Sequence, residues 1–218
     1  MHKRHYRLQH MVERFPKRQY QSIGEFFDGY AANLAEAAAS VDRSKLAAAE
    51  ALLNQALERD AQIFACGNGG SAAISGHLAC DCAKGTRVDT ALRPRVVSLS
   101  SNVEIITAIA NDIAFADIFA QQLSAIGRRG DVLIAISSSG NSENIVRALA
   151  WARKNGLDTI AMTGFDGGRA AALADVVLHV PAQNYGVIED MHQSMMHVLA
   201  QFVRQVRMPS ALVPERKF

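Results

Sequence analysis

Gly67-Asn68-Gly69-Gly70-Ser71-Ala72-Ala73, entered from the apolar run Ala61 to Cys66, joins a strand-like segment to a helix-like one through a glycine turn. Such a turn cradles phosphate. Glycines let the backbone approach an anion, and the N–H groups and positive dipole end of the following helix favour negative charge. A second turn, Ser137-Ser138-Ser139-Gly140-Asn141-Ser142, follows the strand-like run Asp131 to Ile136. Either turn alone is ordinary strand-to-helix connection chemistry. Two of them in a chain of 218 residues point to a phosphorylated metabolite. The first lacks the full G-x-G-x-x-G spacing of a dinucleotide fingerprint and the second has no Gly-Lys-Ser/Thr, so a nucleotide is the weaker reading. Serine hydroxyls can hold a phosphate monoester without metal help, donating hydrogen bonds alongside the backbone.

Outward from these turns, apolar runs at Gln62 to Cys66, Arg95 to Leu99, Val132 to Ile136, Thr159 to Thr163 and Val176 to Val180 read as strands. They alternate with helical patterns near Ser71 to Ala83, Val103 to Ala110, Phe115 to Ile126, Ser142 to Asn155, Arg169 to Ala174 and Val187 to Val206. The alternation predicts an α/β three-layer sandwich, a five-stranded parallel sheet covered by helices on both faces. Its ligand crevice is expected at the carboxyl ends of the strands near a topological switch point, where both turns fall. Two amphipathic helices, Tyr20 to Val41 and Ser44 to Arg59, precede the first strand. They are candidates for subunit packing or simply for covering the sheet.

With 49% hydrophobic and 20% charged residues, the chain reads as one soluble domain over 19–208, flanked by a basic arm at 1–18 and a tail at 209–218. The arm carries Lys3, Arg4, Arg7, Arg14, Lys17 and Arg18 and is expected to be solvated. A net charge of +2 gives no case for nucleic acid, and no apolar run approaches the ~18 residues that span a membrane. No apolar segment of signal-peptide type follows the arm. The three cysteines, Cys66, Cys80 and Cys82, argue for a reducing cytoplasm rather than a disulfide framework. Cys80-Asp81-Cys82 is a poor metal clip because alternate residues on a helix face different ways, and Cys66 reads as a small core residue. His179 and His192 read as surface or hydrogen-bonded histidines.

The segments GNGGSAA at Gly67 to Ala73, AND at Ala110 to Asp112, GDVLIAISSSGNS at Gly130 to Ser142, TGFDGG at Thr163 to Gly168 and IEDMHQSMMH at Ile188 to His197 jointly carry a resemblance. The chain resembles the SIS (sugar isomerase) family of flavodoxin-like phosphosugar-binding domains, and within it the phosphoheptose isomerases, from about Tyr20 to Val206. That resemblance implies conversion of sedoheptulose 7-phosphate to D-glycero-D-manno-heptose 7-phosphate in a cytoplasmic homotetramer whose sites are shared between chains. It also implies a Zn2+ site at the positions of His77, Asp81, Glu189 and His197. His77 and Asp81 stand at i and i+4 on one helix face, and Glu189 to His197 spans about two turns, so each pair can aim at one ion. Two departures matter. Asp81 replaces a longer Glu, retracting the carboxylate by more than ~1 Å, and Glu189 replaces a neutral Gln.

An aldose–ketose isomerase moves a proton between adjacent carbons through an enediol. It needs a carboxylate or imidazole beside the C1–C2 bond and a group that steadies the developing oxyanion. The resemblance implies Ser71, Ser137, Ser138, Ser139 and Ser142 as phosphate ligands, with Asn68, Gly69, Gly70, Asn111, Asp112 and Glu189 along the sugar. It implies Asp81 or Glu189 as proton carrier and His197 as partner acid or base. The competing expectations are a non-catalytic SIS module that binds a phosphosugar or associates with a replication initiator, and an isomerase of another sugar phosphate. Gly186 stands where the family tends to carry an acid, which bears on the last of these.

Overall fold

The computed structural model describes residues 11–218. Five strands, β1 (Gln62–Gly67), β2 (Arg95–Ser98), β3 (Val132–Ser137), β4 (Asp158–Gly164) and β5 (Val176–Val180), pair in parallel in the order β2-β1-β3-β4-β5. The register sets Phe64 between Val97 and Leu133, and Ile136 beside Met162. β1, β3 and β4 are buried almost throughout, which explains their unbroken apolar runs: a strand covered on both faces has no polar side to alternate with. The chain steps outward from β1 to β2 and then returns past β1 to start β3. The switch point therefore lies between β1 and β3, the two strands that run into the glycine and serine turns.

Helices α1 (Ile23–Ser40), α2 (Arg43–Glu58), α3 (Gly70–Ala83) and α8 (Tyr185–Gln205) cover one face. Helices α4 (Val103–Asp112), α5 (Ile118–Ile126), α6 (Glu143–Lys154) and α7 (Gly168–Leu173) cover the other. Alternate strand residues feed the two cores: Ile63 and Ala65 with Ile134 and Ile136 on the first, Phe64 and Cys66 with Leu133 and Ala135 on the second. Several starts are capped as the side chains dictate. Ser22 accepts from the Glu25 N–H, Asp42 from Ser44, Asn102 from Ile105 and Asn184 from Val187.

The expected helix Phe115 to Ile126 opens instead as a 3-10 turn, Phe115–Asp117, before α5. The tighter turn brings both Asp117 carboxylate oxygens onto Arg147 of α6, at 2.9 and 2.8 Å. α1 begins at Ile23 rather than Tyr20, because Ser22 caps it. Of the expected solvated arm, residues 1–10 lie outside the described residues. In the remainder Arg14, Lys17 and Arg18 are exposed, but Val12 and Phe15 are buried. Phe15 packs edge-on against Phe26 and Tyr30, and the Val12 N–H donates to the Pro181 carbonyl at 2.9 Å. Burying two apolar side chains contributes about 3–5 kcal/mol, enough to dock a segment whose charges point outward. The expected tail winds into a 3-10 helix at Ser210–Glu215. Its end is held by Arg204, which donates to the Lys217 carbonyl and stacks on the Phe218 ring.

Candidate active site at the switch point

A cleft of about 170 Å³ opens between the ends of β1 and β3, lined by Asn68, Ser71, Ile136, Ser137, Ser138, Ser139, Ser142, Tyr185 and Glu189. Neither helix that begins there is capped by a side chain: α3 starts from Gly69 and α6 from Ser142, whose hydroxyl makes no cap bond. Gly69, at φ 54°, needs the freedom that only glycine has. Gly140, at φ 64°, lies so close to the Gly167 carbonyl that a Cβ would collide with it. Ser137 Oγ accepts from the Gly140 N–H at 3.1 Å and Ser139 Oγ from the Asn141 N–H at 3.2 Å, shaping the second turn from within. The Ser138 hydroxyl is buried and has no hydrogen-bond partner among the described residues. A buried hydroxyl without a partner costs stability unless something occupies the place it faces.

The two turns are fastened to each other. Asn68 and Asn144 exchange both amide hydrogen bonds at 2.9 Å, and Asn144 Oδ1 also accepts the Ile145 N–H. Ser100, after β2, donates to the Gly67 carbonyl at 2.8 Å and accepts the Gly67 N–H at 3.1 Å. Glu189 projects from α8 over Gly70, where a Cβ would strike its carboxylate. That places a negative side chain at the first turn of α3, where the helix dipole favours it. Tyr30 of α1 donates to Asp190 at 2.6 Å, and burial together with that bond pushes its phenol well above the usual range. Gly186 leaves room for this contact, since a Cβ there would lie 3.0 Å from the Tyr30 oxygen.

Further along the same helix pair, His77 and Asp81 of α3 meet His197 of α8. His77 Nε2 lies 3.3 Å from Asp81 Oδ1 and His197 Nε2 lies 3.8 Å from Oδ2, with the two rings perpendicular at 4.9 Å. Their donor atoms can converge on one ion. Two imidazoles and a carboxylate suit a divalent cation such as zinc, so the donor chemistry fits that group. Glu189, the fourth expected ligand, falls outside this cluster and lines the serine cleft instead. Asn111 and Asp112 end α4, exposed and bonded to each other at 2.7 Å, and do not line the cleft. Cys80 is exposed and Cys82 buried, so they form no clip, and burial pushes the Cys82 thiol up to about 12.

A SIS domain model matches residues 25–164. The phosphoheptose isomerase of Desulfovibrio desulfuricans is 41% identical over 145 residues, covering 66% of this chain and 69% of that protein. That of Helicobacter pylori is 38% identical over 154 residues, covering 71% and 80%. The chain belongs to the phosphoheptose isomerase family. A solved phosphoheptose isomerase from Neisseria gonorrhoeae matches the fold with a TM-score of 0.76 at 34% identity, over 84% of this chain and 98% of that one. Among the described residues of this phosphoheptose isomerase family member, no Lys or Arg lines the serine cleft, so the donors there are hydroxyl and backbone groups.

Sequence reading passed over Asn144 and Gln193 of this phosphoheptose isomerase relative, and left His192 with two alternatives. Asn144 heads the buried stripe Ile145, Ala148, Leu149, Ala152, and a polar residue on such a stripe is the signal that marked it. Gln193 sits midway between Glu189 and His197 at spacings of four, on one helix face. Of the two readings of His192, surface or hydrogen-bonded, burial excludes the first. It is fully buried, and burial holds its pKa down at about 4. His179 does find a partner, Thr163 Oγ1 at 3.1 Å.

Proposed function

We propose that the protein interconverts sedoheptulose 7-phosphate and D-glycero-D-manno-heptose 7-phosphate, with the phosphate in the serine cleft and Glu189 carrying the proton. The observation that supports this most is the pairing, in one cleft, of a buried hydroxyl without a partner on Ser138 and a carboxylate on Glu189. Phosphate oxygens would accept from Ser138, Ser139, Ser142 and Ser71 and from the uncapped N–H groups at the start of α6, the start of α3 being faced by the Glu189 carboxylate. The Asn68–Asn144 clasp holds both turns in register, so that little reorganisation is needed when the anion arrives. With the phosphate fixed, Glu189 takes the C1 proton of the ketose as O2 gains a proton, which gives the enediol; it then delivers the proton to C2 as O1 gives up its hydroxyl proton and becomes the aldehyde oxygen.

His77, Asp81 and His197 would hold the divalent ion, which when bound supplies a Lewis acid for the sugar oxygens. His77 and His197 stay fixed relative to each other through Asp81, which both face. Among the described residues no helix is long and apolar enough to cross a membrane. The proposed assembly is a cytoplasmic homotetramer, as the family resemblance implies. Ile23 and Phe27 on α1, Val198 and Phe202 on α8, and Val206 just after it are exposed apolar residues that further copies would cover. In that assembly Asn111 and Asp112 of a neighbouring copy would reach the sugar, which they do not do within one chain.

The test is incubation with sedoheptulose 7-phosphate in D2O, followed by NMR. Aldose product with deuterium at C2 supports the reading. The Glu189→Gln variant is expected to bind the sugar phosphate and lose turnover. Wild-type protein that binds it with neither product nor exchange would return the chain to the binding-module class.

A further inference from the structure

The α3–α8 contact presents a symmetry that the expected ligand set does not use. α3 offers His77 and Asp81, and α8 offers Gln193 and His197, each pair at i and i+4 on facing stripes. Gln193 is already inside the cluster: its Nε2 donates to His77 Nδ1 at 2.9 Å and to His197 Nε2 at 2.6 Å. One amide group thus bridges the two imidazoles. Glu189 lies one turn before Gln193, about 6 Å along the axis, and its carboxylate is held over Gly70 in the serine cleft.

We propose that Gln193, and not Glu189, completes the metal centre with His77, Asp81 and His197, its side-chain oxygen turned toward the ion, which leaves the Glu189 carboxylate to the sugar. The inference rests on the metal reading of this cluster given above. A half turn about the Cγ–Cδ bond exchanges Oε1 and Nε2, so the group that donates to the two ring nitrogens can offer an oxygen at the same place. The charge count differs between the two sets. His77, His197, Asp81 and Gln193 carry one negative charge, so a divalent ion keeps one net positive charge beside the sugar; adding Glu189 would cancel it. A carboxylate spent on the ion is also a poorer base than a free one, because the cation stabilises its ionised form. With Gln193 as ligand, the base and the cation are held by different side chains one helical turn apart.

Binding of Zn2+ in competition with a chromophoric chelator, and the visible d–d absorption of the Co2+-loaded protein, test this without reference to activity. Gln193→Ala is expected to weaken Zn2+ binding at least tenfold and to alter the Co2+ spectrum. Glu189→Gln should leave both within about twofold of wild type. Gln193→Glu, which keeps an oxygen in the same place, should retain affinity, and it substitutes as the informative variant if Gln193→Ala loses its cooperative thermal transition. Weakening by Glu189→Gln, alone or as strongly as by Gln193→Ala, would overturn the assignment while leaving the metal reading intact. Failure of the wild-type chain to bind either ion would overturn the metal reading and this assignment with it, yet not the serine cleft, which sugar phosphate binding measures separately.

Discussion

Replacing Asn144 by Ala should uncouple the two phosphate turns, and the cost can be worked from the clasp itself. Asn144 is 2% exposed and loses three hydrogen bonds in the change, two with Asn68 and one from the Ile145 N–H, all at 2.9 Å. At roughly 1 kcal/mol net each, the sum is about 3 kcal/mol. Asn68 is only half-buried and recovers part of its share from water, so about 2 kcal/mol of lost stability is expected. Urea unfolding of wild type, Asn68→Ala, Asn144→Ala and the double variant gives the coupling directly. If the clasp acts as one unit, the double variant is less destabilised than the sum of the singles by about 1–2 kcal/mol. The same variants should raise KM for the sugar phosphate more than they lower kcat, because they disorder the phosphate cup rather than the proton carrier. Additive effects within about 0.3 kcal/mol, or an unchanged KM, would refute the argument that the clasp holds the site.

Ser138→Ala should leave folding stability unchanged or slightly raised, since the hydroxyl it removes is buried and unpartnered, while KM rises on the order of 10- to 100-fold through a lost hydrogen bond to a charged acceptor; a KM within twofold of wild type would remove Ser138 from the phosphate site. His192 is buried neutral with a pKa of about 4 against an ordinary 6.5, so the folded state binds fewer protons than the unfolded one between those values. Its contribution is complete above pH 6.5 and is lost as pH falls, reaching about 3 kcal/mol at pH 4. His192→Met, measured in chelator to keep metal out, should therefore lose about 3 kcal/mol less than wild type between pH 7.5 and pH 4; equal losses would show that His192 is not the titrating group.

The sheet was legible because its central strands are buried on both faces, and such strands announce themselves as unbroken runs: Val132 to Ile136 and Thr159 to Thr163 have no solvent side to obscure them. The phosphate turns were legible for a related reason. Backbone that must approach an anion or adopt positive φ excludes side chains, and Gly69 and Gly140 record that exclusion in residue type. What stayed hidden was register across the chain. Asn68 and Asn144 are 76 residues apart and nothing local in either turn specifies that they pair. The burial of Phe15 was hidden in the same way, since Phe26 and Tyr30 become its neighbours only once the segment folds back over α1.

The α8 face illustrates why ligand sets transfer less securely than folds. Glu189, Gln193 and His197 share one stripe, and sequence spacing alone lets any two of them reach an ion from that stripe. In the proposed assignment the choice is made by the partner helix. Gly70, having no side chain, draws Glu189 to the start of α3, and His77, seven residues later, meets Gln193 and His197. The same glycine that leaves the phosphate turn bare also makes the space in which the carboxylate lies. A side chain at position 70 would therefore disturb the anion site and the base together, while the His77–Asp81–His197 cluster, held by its own contacts farther along the helix pair, would be left in place.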